Sequence, residues 1–170
     1  ESAEIITADR ESEIITGLIG RFDLQQSMAN GTITGSIDVL DGVGLLTTLP
    51  IRAEENLKLR LKSHDLQTEL NLDLQIIEIS NVSIQKESGD QYAYTLHFVT
   101  RSSWQAMTKN VITAFRSKSA SYCAKQLFKT YFKKNLGKNR TFNVEDSDGE
   151  MRVIIPDYNP IQAMKFLCAK

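Results

Sequence analysis

Residues 31–61 alternate between apolar and polar side chains in the manner of β-strands. The first half places apolar or small residues at every second position, namely Ile33, Gly35, Ile37 and Val39. Successive side chains of an extended chain point to opposite sides, so these residues share one face of a strand. The alternation returns at Leu57, Leu59 and Leu61. The stretch therefore predicts two half-buried strands.

A sharp corner is expected between the two strands. Asp41 and Gly42 favour a turn, because Gly tolerates a positive φ and an Asp side chain bonds its own nearby backbone. A short apolar run follows and is closed by Pro50: Val43, Leu45, Leu46 and Leu49. The run is too short for an independent helix. The predicted order is strand, corner, apolar plug, strand.

This order resembles a known family. The sequence GSIDVLDGVGLLTTLPIRAEENLKLRL, residues 35–61, is similar to the N-terminal part of central baseplate hub proteins of contractile-tailed bacteriophages. That family reads there as a G-x-I-x-I-x-D corner, a leucine-rich turn, LPI, a small residue, an acidic residue and a strand. The segment YAYTLHFVTRSSW, residues 92–104, resembles its Y-x-L strand. VIIPDYNPIQAMKFLCAK, residues 153–170, resembles its I-P-x-x-x-P-x-x-A-x-x-x-L segment. The chain departs from the family at Arg52, where a Gly is common.

The resemblance implies a structural virion protein of the tail baseplate that is assembled in the cytoplasm of the host bacterium. Family hubs are homotrimers with two tube-like domains per chain. Their tail-tube-type β-barrels form a ring that joins the hexameric tail tube to the trimeric spike. The resemblance brings no catalytic residue and no cofactor, and we predict neither enzyme activity nor a metal site.

The strand pattern predicts an α+β fold that is mainly β. An antiparallel β-barrel or sandwich is expected in residues 1–102, and a smaller α+β region, the start of a truncated second domain, in residues 103–170. Residues 14–29 and 32–40 should form a hairpin around Asn30-Gly31. The apolar parity switches at Ile76-Ile77, which predicts a β-bulge that bends its strand as barrels require.

The second region is predicted to begin with an amphipathic helix over residues 119–135, with Ser119 or Ser121 as its N-cap and Gly137 as its end. Two short strands, residues 141–144 and 151–155, should flank an Asp-Ser-Asp-Gly turn. A last helix after Pro160 is expected to bury four residues: Ile161, Met164, Leu167 and Cys168. Cys123 and Cys168 are both predicted to be buried free thiols, with a disulfide as the alternative.

The charges are unevenly distributed along the chain. Residues 91–144 contain ten Lys and Arg and no Asp or Glu, although the formal net charge is only −1. Three of these lysines recur every fourth residue on the solvent face of the predicted helix: Lys125, Lys129 and Lys133. The ordinary interpretation is a solvated helix face. The functional one is a contact surface for an acidic neighbouring subunit or for nucleic acid.

A nucleic-acid-binding β-barrel with a basic helix is therefore the alternative function. Single-stranded nucleic acid requires aromatic side chains interleaved with the cations on an exposed face. The helix instead places its aromatic residues on the predicted buried side: Phe128, Tyr131 and Phe132. We therefore prefer the hub interpretation.

No motif predicts an active site. His64 and His97 stand far apart and outside any metal-binding spacing. The carboxylate candidates for a glycosidase are Glu54-Glu55 and a predicted turn with Glu145, Asp146, Asp148 and Glu150. The turn is expected to be hydrated. No run of about 18 apolar residues exists, so a transmembrane helix is not predicted. The start at Glu1 and a helical pattern running to Lys170 suggest a piece of a longer chain, which leaves an enzyme with its catalytic residues further on as a third interpretation.

Overall fold

The computed structural model describes residues 2–6, 12–27, 32–48, 51, 55–62, 69–85, 91–132 and 142–169. The chain separates into two compact units, Glu1–Thr100 (unit 1) and Arg101–Lys170 (unit 2). The predicted division, residues 1–102 and 103–170, lies two residues later.

Unit 1 is built on one antiparallel sheet. Its seven strands are β1 (Ser2–Ile6), β2 (Ser12–Ile14), β3 (Ile19–Ser27), β4 (Thr32–Asp41), β5 (Asn56–Lys62), β6 (Glu69–Gln85) and β7 (Gln91–Thr100). They are arranged in the order β2-β1-β5-β6-β7-β4-β3. The predicted mainly β, antiparallel fold is confirmed, and β2 and β3 stand at the two ends of the sheet as described.

The first hairpin is shorter than predicted. β3 and β4 pair antiparallel, with Gln26 opposite Ile33, while the turn Asn30-Gly31 lies outside the described residues. A short 3-10 helix, Thr16–Leu18, interrupts the strand that was expected to run from residue 14. At this interruption the Thr16 hydroxyl accepts a hydrogen bond from the Ala3 amide of β1 at 2.9 Å. β2 pairs with β1 and does not continue into β3.

The predicted bulge in β6 is confirmed. Ile76 lies opposite Phe98 and Glu78 opposite His97, so Ile77 is an extra residue in the ladder. A second shift separates Ser80 from Ser83, where Asn81 has a φ of 54°. Both shifts lie in the β6–β7 ladder, Leu74–Gln85, whereas β5 pairs with the first part of this 17-residue strand, Glu69–Gln75.

The core of unit 1 uses the faces that the alternation predicted. Its buried members from β4, β5, β6 and β7 are Ile37, Val39, Leu57, Leu59, Leu72, Leu74, Ile76, Tyr94, Leu96 and Phe98. The ring of Phe22 in β3 stacks on that of Phe98, with 6.2 Å between the centroids. The strands of the sheet therefore share one continuous apolar core.

Asp41 forms the corner after β4. Its fully buried carboxylate accepts backbone hydrogen bonds from Val43 and Gly44 through Oδ1 and from Leu46 through Oδ2, at 2.8–3.1 Å. These bonds start the single-turn helix α1 (Leu45–Thr48). The positive φ belongs to Gly44, at 77°, and not to Gly42 as expected. The chain therefore turns two residues later than predicted.

The described residues of unit 2 form a two-stranded sheet and three helices. The elements are α2 (Arg101–Met107), β8 (Val111–Lys118), α3 (Ala120–Tyr131), β9 (Met151–Tyr158) and α4 (Pro160–Cys168). The predicted hairpin of residues 141–144 and 151–155 is wrong. Residues 142–150 form no strand, and β9 pairs antiparallel with β8. Val153 and Ile155 of β9 are buried in a core that also holds Val111.

Side-chain caps define the two long helices. The Ser119 hydroxyl accepts a hydrogen bond from the Tyr122 amide and begins α3, as one of the two predicted caps. Asn159 and Gln162 form a capping box at the start of α4. Both cysteines are free, as predicted. Cys123 is buried, as predicted, and its burial raises the pKa of its thiol. The predicted burial of Cys168 is wrong, because α4 ends at that residue and leaves it exposed.

Candidate partner-binding surface

Helix α3 positions two of the three predicted contact lysines. Its apolar face buries Cys123, Ala124 and Leu127 in the core of unit 2. Lys125 and Lys129 therefore project from the opposite, exposed face. Lys133 lies outside the described residues. The periodicity predicted the exposed placement of the first two correctly.

Lys125 is already engaged within the unit. Its Nζ lies 2.6 Å from Asp146 Oδ1, and both side chains are largely exposed. The hydrogen bond and the positive charge of Lys125 lower the pKa of the Asp146 carboxyl. Surface ion pairs of this kind contribute little to stability, because water screens both charges. The pair does, however, offset part of the positive charge on which the predicted lysine surface depends.

A serine pair places Asp146 beside the helix. The Ser121 amide donates to Ser147 Oγ at 2.9 Å, and the Ser147 amide donates to Ser121 Oγ at 3.2 Å. The two bonds satisfy an amide of the first turn of α3, which has no partner inside the helix. They also hold the irregular segment 142–150 against the start of α3.

A groove of about 400 Å³ lies between β8 and α3. Four consecutive residues of β8 line it, from Thr113 to Arg116, together with Lys118. The helix contributes residues from one of its faces: Tyr122, Gln126, Leu127, Thr130 and Tyr131. Consecutive residues of a strand belong to its two opposite faces, so a groove lined by all four of them follows the strand edge. β9 contributes nothing to the lining, so this is the edge of β8 that faces away from β9.

The groove, which we call the β8–α3 groove, is cationic. Arg116 and Lys118 lie in its lining, and no lining residue is acidic. Ser117 has a φ of 51°, and the β8–β9 register shifts between Phe115 and Lys118. This irregularity turns Lys118 toward α3, where its Nζ lies 5.1 Å from the centroid of the Tyr122 ring. Tyr122 itself remains 42% exposed. Cation and aromatic face thus stand together at one end of the groove.

No protein-family model matches the chain, and no curated protein is significantly similar to it.

The other aromatic residues of α3 do not face the lysines. The ring of Phe128 stacks on Phe142 at 4.4 Å and on Phe132 at 5.8 Å between centroids. Phe132 is buried, as predicted, and Tyr131 packs against the core of unit 2. An exposed aromatic surface interleaved with Lys125 and Lys129 is therefore not formed by these residues.

His97 has a more specific environment than the sequence predicted. Its Nε2 lies 2.8 Å from Ser80 Oγ, across β6 and β7. Next to them on β7, the Thr95 hydroxyl donates to Asp38 at 2.8 Å and accepts from Asn81 at 3.3 Å. These contacts join three strands across the second β6 irregularity. His64 lies outside the described residues.

The described residues contain neither a metal-binding cluster nor a membrane-spanning helix. No group of three or more His, Cys, Asp or Glu side chains in the described ranges is placed to hold a metal ion. Among the same residues, no helix combines the length and the apolar character that crossing a bilayer requires.

The β8–α3 groove was not predicted, because no strand was predicted over residues 111–118. The signal was present, since Val111, Thr113 and Phe115 alternate with exposed positions. The acid-free stretch did include Arg116 and Lys118, but only a strand beside α3 brings them to one groove.

Proposed function

We propose that this chain is a structural subunit of a contractile phage tail, a baseplate hub protein that links the tail tube to the central spike in a trimeric ring. The observation that carries the proposal is the sheet of unit 1. The family phrase of residues 35–61 coincides with β4, the Asp41 corner, the single turn of α1 and β5. In this proposal unit 1 is a tail-tube-type β-barrel, and the protein resides in the virion baseplate.

The end strand β3 supports ring assembly. Among the described strands β3 pairs only with β4, so alternate residues between Ile19 and Gln26 present backbone donors and acceptors on the other side. Long unpaired edges promote association with other chains. In a ring, the edge of each subunit is covered by its neighbour, which removes the hazard of uncontrolled association.

Charge separation also supports assembly through complementary surfaces. Unit 1 contains 16 Asp and Glu against 7 Lys and Arg, whereas unit 2 contains 5 and 13. Their formal charges are therefore −9 and +8. Opposite charges of this size steer association and fix its orientation, and salt weakens them.

The first test is the mass in solution, measured by light scattering over a range of protein and salt concentrations. We expect a trimer, or a monomer that moves to a trimer as the protein concentration rises, with less trimer at high salt. Threefold rings should be visible by negative-stain electron microscopy. A strict monomer at every concentration would contradict the hub proposal.

A matched pair of proline variants tests the contribution of β3. Gln25 and Gln26 are adjacent and exposed, and the amides of adjacent strand residues point to opposite sides. One of Gln25→Pro and Gln26→Pro therefore removes a β3–β4 hydrogen bond, and the other removes an outward N–H. We expect the first to lower the melting temperature. The second should keep the fold and dissociate the ring; an intact ring would show that this edge is not used.

Nucleic-acid binding remains the second candidate, favoured by one observation: the exposed Tyr122 ring beside Lys118. Its test is the affinity for a single-stranded oligonucleotide as a function of salt. A phosphate-binding site predicts a steep loss of affinity with salt concentration. The absence of measurable binding at low salt would eliminate this candidate.

A further inference from the structure

We infer that the β8–α3 groove binds an extended peptide of a partner protein, which adds as a strand to the edge of β8 that no described strand covers. The peptide would carry acidic side chains alternating with apolar ones. This inference concerns unit 2 and goes beyond the hub proposal, so it stands or falls independently of ring formation.

The geometry of the groove fits a strand. Its lining takes Thr113, Ala114, Phe115 and Arg116 in succession, and none of it comes from β9. The groove therefore runs along the side of β8 that no described strand covers. Four residues of an extended chain span about 13 Å, at about 3.3 Å for each residue. A segment of roughly four or five peptide residues could pair along it, with main-chain hydrogen bonds supplying affinity.

The opposite wall is a regular helix face. Tyr122, Gln126 and Thr130 are spaced by four residues and therefore lie in one row along α3. Addition of an extended peptide to an exposed sheet edge is one of the recurring ways in which proteins bind peptides. The two walls thus provide hydrogen bonds from one side and side-chain contacts from the other.

The lining predicts the character of the peptide. Arg116 and Lys118 supply positive charge, and no carboxylate in the lining neutralises it. Phe115, Leu127 and Tyr131 supply apolar surface on the same groove. Side chains of an added strand alternate between two directions. An acidic residue beside Arg116 or Lys118 and an apolar neighbour against Phe115 would satisfy both requirements.

Peptide is favoured over nucleic acid for two reasons. Only Tyr122 offers an exposed aromatic face, since Tyr131 packs against the core of unit 2, whereas a single strand of nucleic acid stacks successive bases on several rings. Nucleic acid also does not pair with the backbone amides and carbonyls of a strand edge, whereas an extended peptide forms hydrogen bonds with them directly.

The experiment uses the full chain and fluorescent octapeptides. One set alternates Asp or Glu with Val, Ile, Leu or Phe, and a matched set has Lys in place of every acidic residue. Binding is followed by fluorescence anisotropy. We expect members of the acidic set to bind, and their Lys counterparts to bind at least about tenfold more weakly. If no acidic peptide binds, the inference is wrong.

N-methylation separates strand addition from simple charge attraction. The best peptide is prepared with N-methyl groups on its odd or on its even amides, which blocks the donors on one side of the strand only. We expect one of the two forms to lose about tenfold or more in affinity and the other to retain most of it. Equal affinities of the two forms would overturn strand addition.

A pair of variants locates the site. Lys118→Glu reverses a charge in the groove, whereas Lys129→Glu makes the same change on α3 outside the lining. We expect about tenfold weaker binding for the first and less than about threefold for the second. Chemical-shift changes should appear at the amides of residues 113–116. Equal losses for both variants, or displacement of the peptide by a twelve-nucleotide oligothymidylate, would overturn the assignment.

Discussion

Gly35 lies directly opposite Phe98 in the β4–β7 pairing, and the Phe98 ring fills the space where a Gly35 side chain would stand. A Cβ at position 35 would lie 2.6 Å from Phe98 Cζ and would also meet the backbone oxygen of Asp23. The Phe98 ring is fully buried and stacks on Phe22. The absence of a side chain at one position thus sets the packing of three strands.

We therefore expect Gly35→Ala to destabilise unit 1 by about 3 kcal/mol. Neither the Asp23 backbone oxygen nor the buried Phe98 ring can move away without a large energetic cost. Urea denaturation followed by circular dichroism measures the change. Gly17→Ala is the matched control, since an added Cβ there meets no atom within 4 Å. The control should change stability by less than about 0.5 kcal/mol. Similar losses for both variants would show that the Phe98 contact is not the cause.

The Asp41 corner predicts a second effect. Replacing Asp41 by Ala removes the acceptor of three backbone amides in a buried place. The expected loss is about 3 kcal/mol, and about 2 kcal/mol for Asp41→Asn, which keeps one acceptor oxygen but places an amide against the Leu46 N–H. Asp73→Asn, at an exposed position of β6, serves as the control. An unaffected urea midpoint in Asp41→Ala would contradict the capping role.

Unlike the substitutions above, a substitution of Tyr94 is not expected to reduce the stability of unit 1. Its hydroxyl is buried and forms no hydrogen bond with the described part of the chain. Burying a polar group without a partner is unfavourable, so Tyr94→Phe should be neutral or stabilising, by up to about 1 kcal/mol at pH 7. A clear loss of stability in the thermal or urea transition would show that the hydroxyl has a partner.

The same residue predicts a pH dependence. Burial, and then the negative charge of Asp41, raise the pKa of Tyr94 above its ordinary value of 10.0. The unfolded chain therefore releases this proton at lower pH than the folded one, and stability is lost as pH rises above 10. The loss approaches about 1.4 kcal/mol per pH unit for one group. Urea midpoints between pH 9 and about pH 11 should fall less in Tyr94→Phe than in the native chain or in the exposed control Tyr122→Phe.

Two contacts of segment 142–150 should differ in importance. Ser147→Ala removes the hydroxyl that accepts from the Ser121 amide, and we expect a loss of about 1 kcal/mol. Lys125→Ala removes only an ion pair exposed to water, so the urea midpoint should not change. Hydrogen exchange at the Ser121 amide should accelerate in the first variant alone. A larger loss of stability in Lys125→Ala than in Ser147→Ala would contradict this prediction.

Local patterns predicted much of unit 1. Alternation identified the buried faces of β4, β5 and β7, and the parity switch at Ile77 located a bulge to the residue. The details of turns were less predictable. Either Gly42 or Gly44 could take the positive φ, and the choice depends on how the Asp41 carboxylate reaches the backbone amides beyond it.

Pairing between distant segments could not be predicted in unit 2. The Asp-Ser-Asp-Gly sequence favoured a local hairpin, but Val153 and Ile155 pair with Phe115 and Thr113 of β8 and are buried in the core of unit 2. Cys168 shows a related limit, because helical periodicity indicates a face but not the last residue that the core covers. The β8–α3 groove depends both on the pairing of distant strands and on the extent of a buried helix face. The sequence alone could therefore not show that β8 and α3 lie side by side.

The division of β6 between its two neighbours has a mechanical consequence. β5 pairs with Glu69–Gln75 and β7 with Leu74–Gln85, so the two ladders overlap only at Leu74 and Gln75. A force that pulls β5 and β7 apart along the strand axis therefore becomes tension in the covalent backbone of β6. Hydrogen bonds on either side are loaded in shear, many at a time, instead of being opened one after another. The backbone of β6 therefore connects the two ladders covalently, an arrangement suited to carrying an axial load.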